Sequence, residues 1–304
     1  MGGDLIRDID LSPFYSTYGL AARLLPRADI HSWLLQKADP SRLRMGTSVE
    51  KIVQTKHGVR ATFTNGEERD YDVVVGADGV HSKVRALIFS EFIERYENWR
   101  IWYAWIDNVF GVKAAIVEYV EAPEFASVLS TGERTSVWLA APADHSVWDT
   151  EIHRIERLKE IFKKESALIP VAFDKLRDCD IQPSDLAQVR LRSWSEGRVV
   201  LAGEAAHCTG PYGGLGTTLA LEDGYILAGE LLQVSPSYSL QKALTQYEKK
   251  RKARVVLGDR MNMFLKSATL VRSRFLKGVM ALVLRYVPFH VVFWNIERLM
   301  KREI

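Results

Sequence analysis

The chain has 304 residues, 47% of them hydrophobic, and a formal net charge of +3 at pH 7. That length can bury the core of one large domain or two smaller ones, and the composition excludes a disordered protein. So small a charge makes nucleic acid a poor partner. The two cysteines, Cys179 and Cys208, lie far apart without a CxxC spacing, which indicates neither a disulfide framework nor a metal site and suits a reducing cytoplasm.

The opening residues contain no apolar signal-peptide core, and Ile6 stands where a myristoylation pattern needs Ser or Thr, so no export signal or lipid anchor is expected. After an irregular start, residues 29–37 read as a helix. Residues 48–55 and 58–64 alternate as strands, the dipeptide Asn65-Gly66 supplies a hairpin turn after them, and residues 71–75 read as a further buried strand. From about Asn98 to Ala141 the chain is rich in aromatic and β-branched residues, with Trp102, Trp105, Tyr119 and Trp138 at strand-like spacings, which predicts an antiparallel sheet. Helical patterns follow at 150–164 and 166–177, then strand character at 188–192.

Arg198-Val199-Val200-Leu201-Ala202 is a short apolar run suited to a parallel strand covered on both faces, and Gly203 ends it. Residues 203–216 read Gly-Glu-Ala-Ala-His-Cys-Thr-Gly-Pro-Tyr-Gly-Gly-Leu-Gly. They lead into a helix predicted to begin between Gly214 and Gly216, since Leu219, Tyr225, Ile226, Leu227 and Leu231 recur at helical spacings. A helix N-terminus offers unpaired N–H groups and a partial positive charge, and glycines let a ligand approach the backbone. Phosphate, carboxylate or a flavin carbonyl suits such a turn, although steric needs alone also produce it.

A long helix with a charged outer face is predicted over 241–266, and its run Lys249-Lys250-Arg251-Lys252-Ala253-Arg254 reads as a solvated face. The tail places apolar segments 279–284 and 291–294 around Arg285, Pro288 and His290, too interrupted for the about 20 apolar residues of a membrane span. Two short helices fit, packed on the protein or lying at a bilayer surface as a peripheral membrane contact.

A second strand–glycine–helix signal is Asp72-Val73-Val74-Val75-Gly76-Ala77-Asp78-Gly79-Val80-His81-Ser82-Lys83-Val84-Arg85, with Ser82 placed to cap the helix. Taken together, the two motifs resemble the group A flavoprotein monooxygenases, the para-hydroxybenzoate-hydroxylase-like family. There a GADG(x)HSxVR segment precedes a middle sheet and a GDAAHxxxPxxGxG segment follows it. Pro26-Arg27-Ala28-Asp29-Ile30-His31-Ser32-Trp33-Leu34 is similar to the family's segment in which an arginine at a helix start contacts the flavin. The likeness covers about residues 20 to 255.

The resemblance implies an α/β fold: a partial Rossmann-like FAD-binding lobe, a middle antiparallel-sheet substrate lobe and C-terminal helices. The expected boundaries are 1–90 and 191–255 for the FAD-binding lobe, 91–190 for the substrate lobe and 256–304 for the tail, with the ligand cleft between the lobes. It implies FAD as cofactor, NADH or NADPH as co-substrate, and hydroxylation or epoxidation of an aromatic or polycyclic, largely apolar small molecule. By the same resemblance Arg27 contacts the flavin, Asp78 and Gly79 lie near the pyrophosphate, and Glu204, beside Gly203, bonds the ribityl or ribose portion. Pro211 and the turn Gly214-Leu215-Gly216-Thr217 flank the isoalloxazine. His207 is a structural neighbour of the ring, with no carboxylate or serine pattern suggesting a triad. Trp102, Tyr103, Trp105 and Trp138 read as core or as cavity wall.

Two departures stand out. Glu204 replaces the family's usual aspartate, and no strand–GxGxxG–helix segment is found: Gly2-Gly3 lacks a preceding strand, and Gly213-Gly214-Leu215-Gly216 belongs to the later motif. The chain therefore resembles a member without its first Rossmann unit, and an open sheet edge is expected. A non-catalytic binding protein of the same descent and a flavin-dependent isoprenoid reductase are the alternative functions.

Overall fold

The computed structural model describes residues 25–269 apart from 109, 112–114, 121–123, 148, 164–167 and 212–213, and also describes 279, 282, 286 and 287. The chain divides into two compact units. One is made of Asp39–Arg95 and Ala187–Leu265, the other of Tyr96–Leu186 with the described residues of Met1–Ala38 and Lys266–Glu297.

The first unit opens on a meander. Strand β1 (Val49–Gln54) pairs antiparallel with β2 (Val59–Phe63), and β2 with β3 (Glu68–Tyr71). Gly66 takes the left-handed φ of +79° that the turn between β2 and β3 requires. Val59 and Ala61 of β2 turn into the core, while Arg60 faces out to Asp70 across the strand pair.

The expected single strand over 71–75 is split. Tyr71 closes the exposed β3, and β4 (Val74–Gly76) starts a different sheet, because the Val74 N–H donates to the Arg198 carbonyl. There β4 runs parallel to β11 (Val199–Leu201), which is fully buried, and the hairpin strand β10 (Ser195–Glu196) flanks β11. This is the parallel pair expected from the two apolar runs.

Helix α2 (Lys83–Ile88) follows β4, and α5 (Gly216–Leu231) follows β11; α6 (Leu240–Thr269) packs on them through Leu244, Tyr247 and Val255. A Cβ on Gly76 would come within 2.7–2.8 Å of Leu201 Cδ2 and Val84, so only glycine lets strand and helix meet this closely.

In the other unit the sheet runs β6 (Ala115–Val120), β7 (Phe125–Ser130), β8 (Arg134–Pro142), β5 (Phe92–Asp107), β9 (Gln182–Leu191). Alternation sends Trp102, Ala104, Ile106, Val137 and Leu139 to one face, against Leu158 and Phe162 of the α3 (Arg154–Ile161) segment and Ile169, Ala172 and Phe173 of α4 (Leu168–Phe173). Strand β5 starts six residues before the expected Asn98, where charged residues disguise the alternation. Helix α3 starts later than expected: His153 sits at φ +55°, and Asp149 is engaged by Arg154. Helix α1 (Arg27–Lys37) carries Asp29, 4.0 Å from Arg134 of β8.

No helix among the described residues is long and apolar enough to cross a membrane. The two helices expected at 279–294 lie almost entirely outside the described residues.

Candidate functional site

The site grows from the end of β11. Leu201 is held between the strands, the Ala202 N–H donates to the Gly76 carbonyl, and the chain then turns at Gly203 with φ +60°. A Cβ there would sit 3.2 Å from the Ala220 Cβ, so backbone conformation and close approach to α5 both select glycine. A single 3-10 turn, Gly203–Ala205, follows; the Ala206 and His207 amides both donate to the Gly203 carbonyl.

This turn delivers Glu204 to the start of α5. Its Oε1 lies 3.9 Å from where a Gly216 Cβ would be, so the carboxylate stands beside the first residue of the helix. Leu215, at the N-cap, makes no side-chain capping bond, and Gly214 has φ +63° with open space where a side chain would project. Among the described residues no side chain caps the first amides of this 16-residue helix, which stand next to a carboxylate acceptor. Donors and acceptor converge on one small region, as an uncharged group rich in carbonyls and hydroxyls requires. Pro211 accepts the Gly214 N–H, and Thr217 is exposed on the first turn.

Behind the turn lies a buried polar network. Asp223 of α5 is fully buried; its Oδ2 accepts from the Gly203 N–H (2.8 Å) and from His207 Nε2 (2.7 Å), and its Oδ1 from Arg251 Nε (2.6 Å). Arg251 also donates to Glu222 (2.7 Å) and to the Leu219 carbonyl (3.1 Å), and Arg254 makes paired bonds to Glu222 at 2.6 Å. Burial pushes the Asp223 carboxyl up, but its hydrogen bonds and charge interactions with His207 and Arg251 together outweigh this and hold it below the usual carboxylate range. Tyr247 donates to the Leu201 carbonyl, and burial pushes its phenol up.

The basic run is therefore not a solvated face throughout: Arg251 is 1% exposed and Arg254 9%, because both face the acidic pair on α5. His207 does have a carboxylate partner, which the sequence did not suggest. Arg251 and the Gly203 amide share that carboxylate, so the pair is an anchor and not a nucleophile-activating dyad. The signal for this network was present, an acidic pair at 222–223 inside an apolar helix and arginines three apart on the next.

The earlier motif has the same plan with a different ending. Asp78 Oδ1 accepts from Ser82 Oγ (2.5 Å), Asp78 Oδ2 from the Val84 N–H (3.1 Å), and Ser82 Oγ from the Arg85 N–H (3.0 Å). Ser82 is the cap expected of it, and Asp78 caps too. Gly79 has φ +82° and open space around it. Buried Arg85 ties the two motifs together, donating to the Ala205 carbonyl (3.0 Å) and to Glu94 (2.6 Å).

Asp78, Gly79, Gly203, Glu204, Pro211, Gly214, Leu215, Gly216 and Thr217 thus fall in one unit, whereas Arg27, exposed at the first residue of α1, falls in the other. Of the aromatic residues, Trp102 is core, edge-on to Phe162 at 6.5 Å. Half-buried Tyr103 and Trp138 stack at 5.6 Å, and Arg134 lies 5.5 Å from the ring centre of Trp105.

The family model "FAD binding domain" matches residues 9–257. The chain belongs to this family. FAD is its cofactor, and the convergence of helix amides with Glu204 suits the hydrogen-bonding groups of a flavin.

Over 245 residues the chain is 29% identical to 2-heptyl-3-hydroxy-4(1H)-quinolone synthase of Pseudomonas aeruginosa, covering 76% of this chain and 60% of that protein. It is 30% identical over 249 residues to aurachin C monooxygenase/isomerase of Stigmatella aurantiaca, covering 81% and 64%. The matches thus span less than two thirds of these relatives' own length. The fold is that of Klebsiella pneumoniae HpxO, whose crystal structure holds FAD and uric acid: TM-score 0.86 at 20% identity, covering 95% of this chain and 75% of that one.

Proposed function

We propose that the protein is a monooxygenase that uses NAD(P)H and O2 to hydroxylate or epoxidise an aromatic or polycyclic, largely apolar small molecule. The observation that carries this reading is the Glu204 carboxylate beside the uncapped start of α5, in a member of an FAD-binding family. The relatives named above, a quinolone synthase and an aurachin monooxygenase, support the reaction class and a flat heterocyclic substrate.

Bound FAD supplies the hydride acceptance and the oxygen chemistry. The chain's own residues hold and orient it. Glu204, with Gly203 behind it, accepts from a ribityl or ribose hydroxyl. The amides at Leu215, Gly216 and Thr217 would face the ring's carbonyl edge as hydrogen-bond donors, with Pro211 and Gly214, whose N–H is already given to the Pro211 carbonyl, flanking it. Asp78 and Gly79 serve the pyrophosphate end, where the open left-handed glycine admits close approach, and Arg27 contacts the flavin.

The test uses the full-length protein: flavin absorbance after purification, then NAD(P)H oxidation and O2 uptake with aromatic and quinolone-type substrates. Flavin content with substrate-stimulated O2 uptake is the expected result. Absence of flavin overturns the reading, and NAD(P)H oxidation without O2 uptake assigns a reductase instead.

A further inference from the structure

We infer that Asp223, clamped by Arg251, is the positioning residue that fixes Glu204 against the start of α5, so that the affinity for FAD is set from a buried ion cluster that touches no part of the flavin. The inference rests on the reading that Glu204 contacts FAD. It follows from which atoms share the Asp223 carboxylate. Oδ2 takes the N–H of Gly203, the residue immediately before Glu204, and the ring of His207, three residues after it. Both ends of the turn that carries Glu204 are therefore pinned to one oxygen.

The pin is itself part of α5, the helix whose amides form the other half of the site. Turn and helix start consequently move as one body, and the spacing between acceptor and donors is set by a side chain seven residues after Gly216. Glu204 is one methylene longer than an aspartate and has more rotamers, so a fixed backbone matters more for it.

The second oxygen of Asp223 is held by Arg251 from α6, with Glu222 and Arg254 completing the cluster. Trp194 lies over the His207 ring at 5.0 Å between centroids and packs on Tyr247, whose hydroxyl bonds the Leu201 carbonyl just before the turn. The ring that carries the second pin thus has little room to swing. Both oxygens of Asp223 are engaged within the protein, which leaves it no role in binding directly.

The experiment is a double-mutant cycle on FAD affinity in the full-length protein, using Asp223→Asn and Glu204→Gln, with circular dichroism and thermal melts selecting a temperature at which every variant is folded. Asp223→Asn keeps an acceptor oxygen and the shape but removes the charge. Each single variant is expected to raise the Kd for FAD about tenfold, equivalent to ~1.4 kcal/mol. The double variant is expected to be no weaker than the worse single one, because an unpositioned Glu204 has already lost its contact. A second readout is hydrogen exchange at the 203–207 turn, expected to quicken in Asp223→Asn even without FAD. Should Asp223→Asn fail to fold, Arg251→Lys runs the same cycle.

If Glu204→Gln leaves FAD affinity unchanged, the assignment of Glu204 to the flavin falls and the inference with it. If Glu204→Gln weakens FAD but Asp223→Asn does not, or if the two effects simply multiply, the positioning role is overturned and Asp223 is only structural.

Discussion

The two strand–turn–helix segments, β4 to α2 and β11 to α5, share a sheet, a parallel direction and a glycine turn, yet one is closed and the other open. After β4, Asp78 and Ser82 take the amides at the start of a six-residue helix. After β11, the one acidic side chain of the turn stands beside the helix start, the N-cap residue makes no side-chain bond, and among the described residues no side chain takes the first donors of the 16-residue helix. A glycine-rich turn before a helix thus offers the helix amides to a ligand only when the chain does not cap that helix itself. The open turn is restrained instead by Asp223, from behind.

The largest effect expected from breaking this contrast is at Asp223. Asp223→Ala breaks a buried ion pair, leaving Arg251 to share Glu222 with Arg254 and removing the acceptor of the Gly203 N–H and of His207, and should lower unfolding free energy by about 3–5 kcal/mol in urea titrations at neutral pH. The contribution is pH-dependent with a definite sign. The folded carboxyl titrates below its ordinary value of 3.8, so its stabilisation is complete above that value and fades as pH falls through the folded value. The stability gap between wild type and Asp223→Asn should therefore narrow below about pH 4.

Next comes Gly76→Ala, where a methyl group would meet Leu201 and Val84 at 2.7–2.8 Å; overpacking at this buried strand–helix contact should cost about 1–3 kcal/mol, read as a lowered melting temperature. Ser82→Ala removes a cap from the closed segment and should cost about 1 kcal/mol. Thr217→Ala, on the first turn of the open segment, should change stability by less than about 0.5 kcal/mol, since it caps nothing. Equal costs for these two substitutions would show that both helix starts are capped alike, and the contrast would be lost.

Much of this organisation is legible in the sequence because it is local. Periodicity and glycine punctuation locate β11, its turn and the start of α5. The Asn-Gly dipeptide marks the β2–β3 hairpin, and Ser82 announces itself as a cap. The split between β3 and β4 is not legible, since Tyr71 to Val75 reads as one strand and only the pairing of Val74 with Arg198 shows where the chain changes sheets. Nor is the fate of the basic run, in which Lys250 reaches Glu230 from the surface while Arg251 and Arg254 turn inward to Glu222 and Asp223.

The family, the α/β class and the position of the glycine turn before α5 could all be read from the sequence, because backbone conformation and local hydrogen bonding are written in short-range patterns. Tertiary contacts alone settled which helix start stays open, which charges are buried, and that Asp223 pins both ends of the Glu204 turn. Those outcomes depend on residues brought together from β4, β11, α5 and α6, and no spacing along one segment encodes which of several carboxylates an arginine on another will meet.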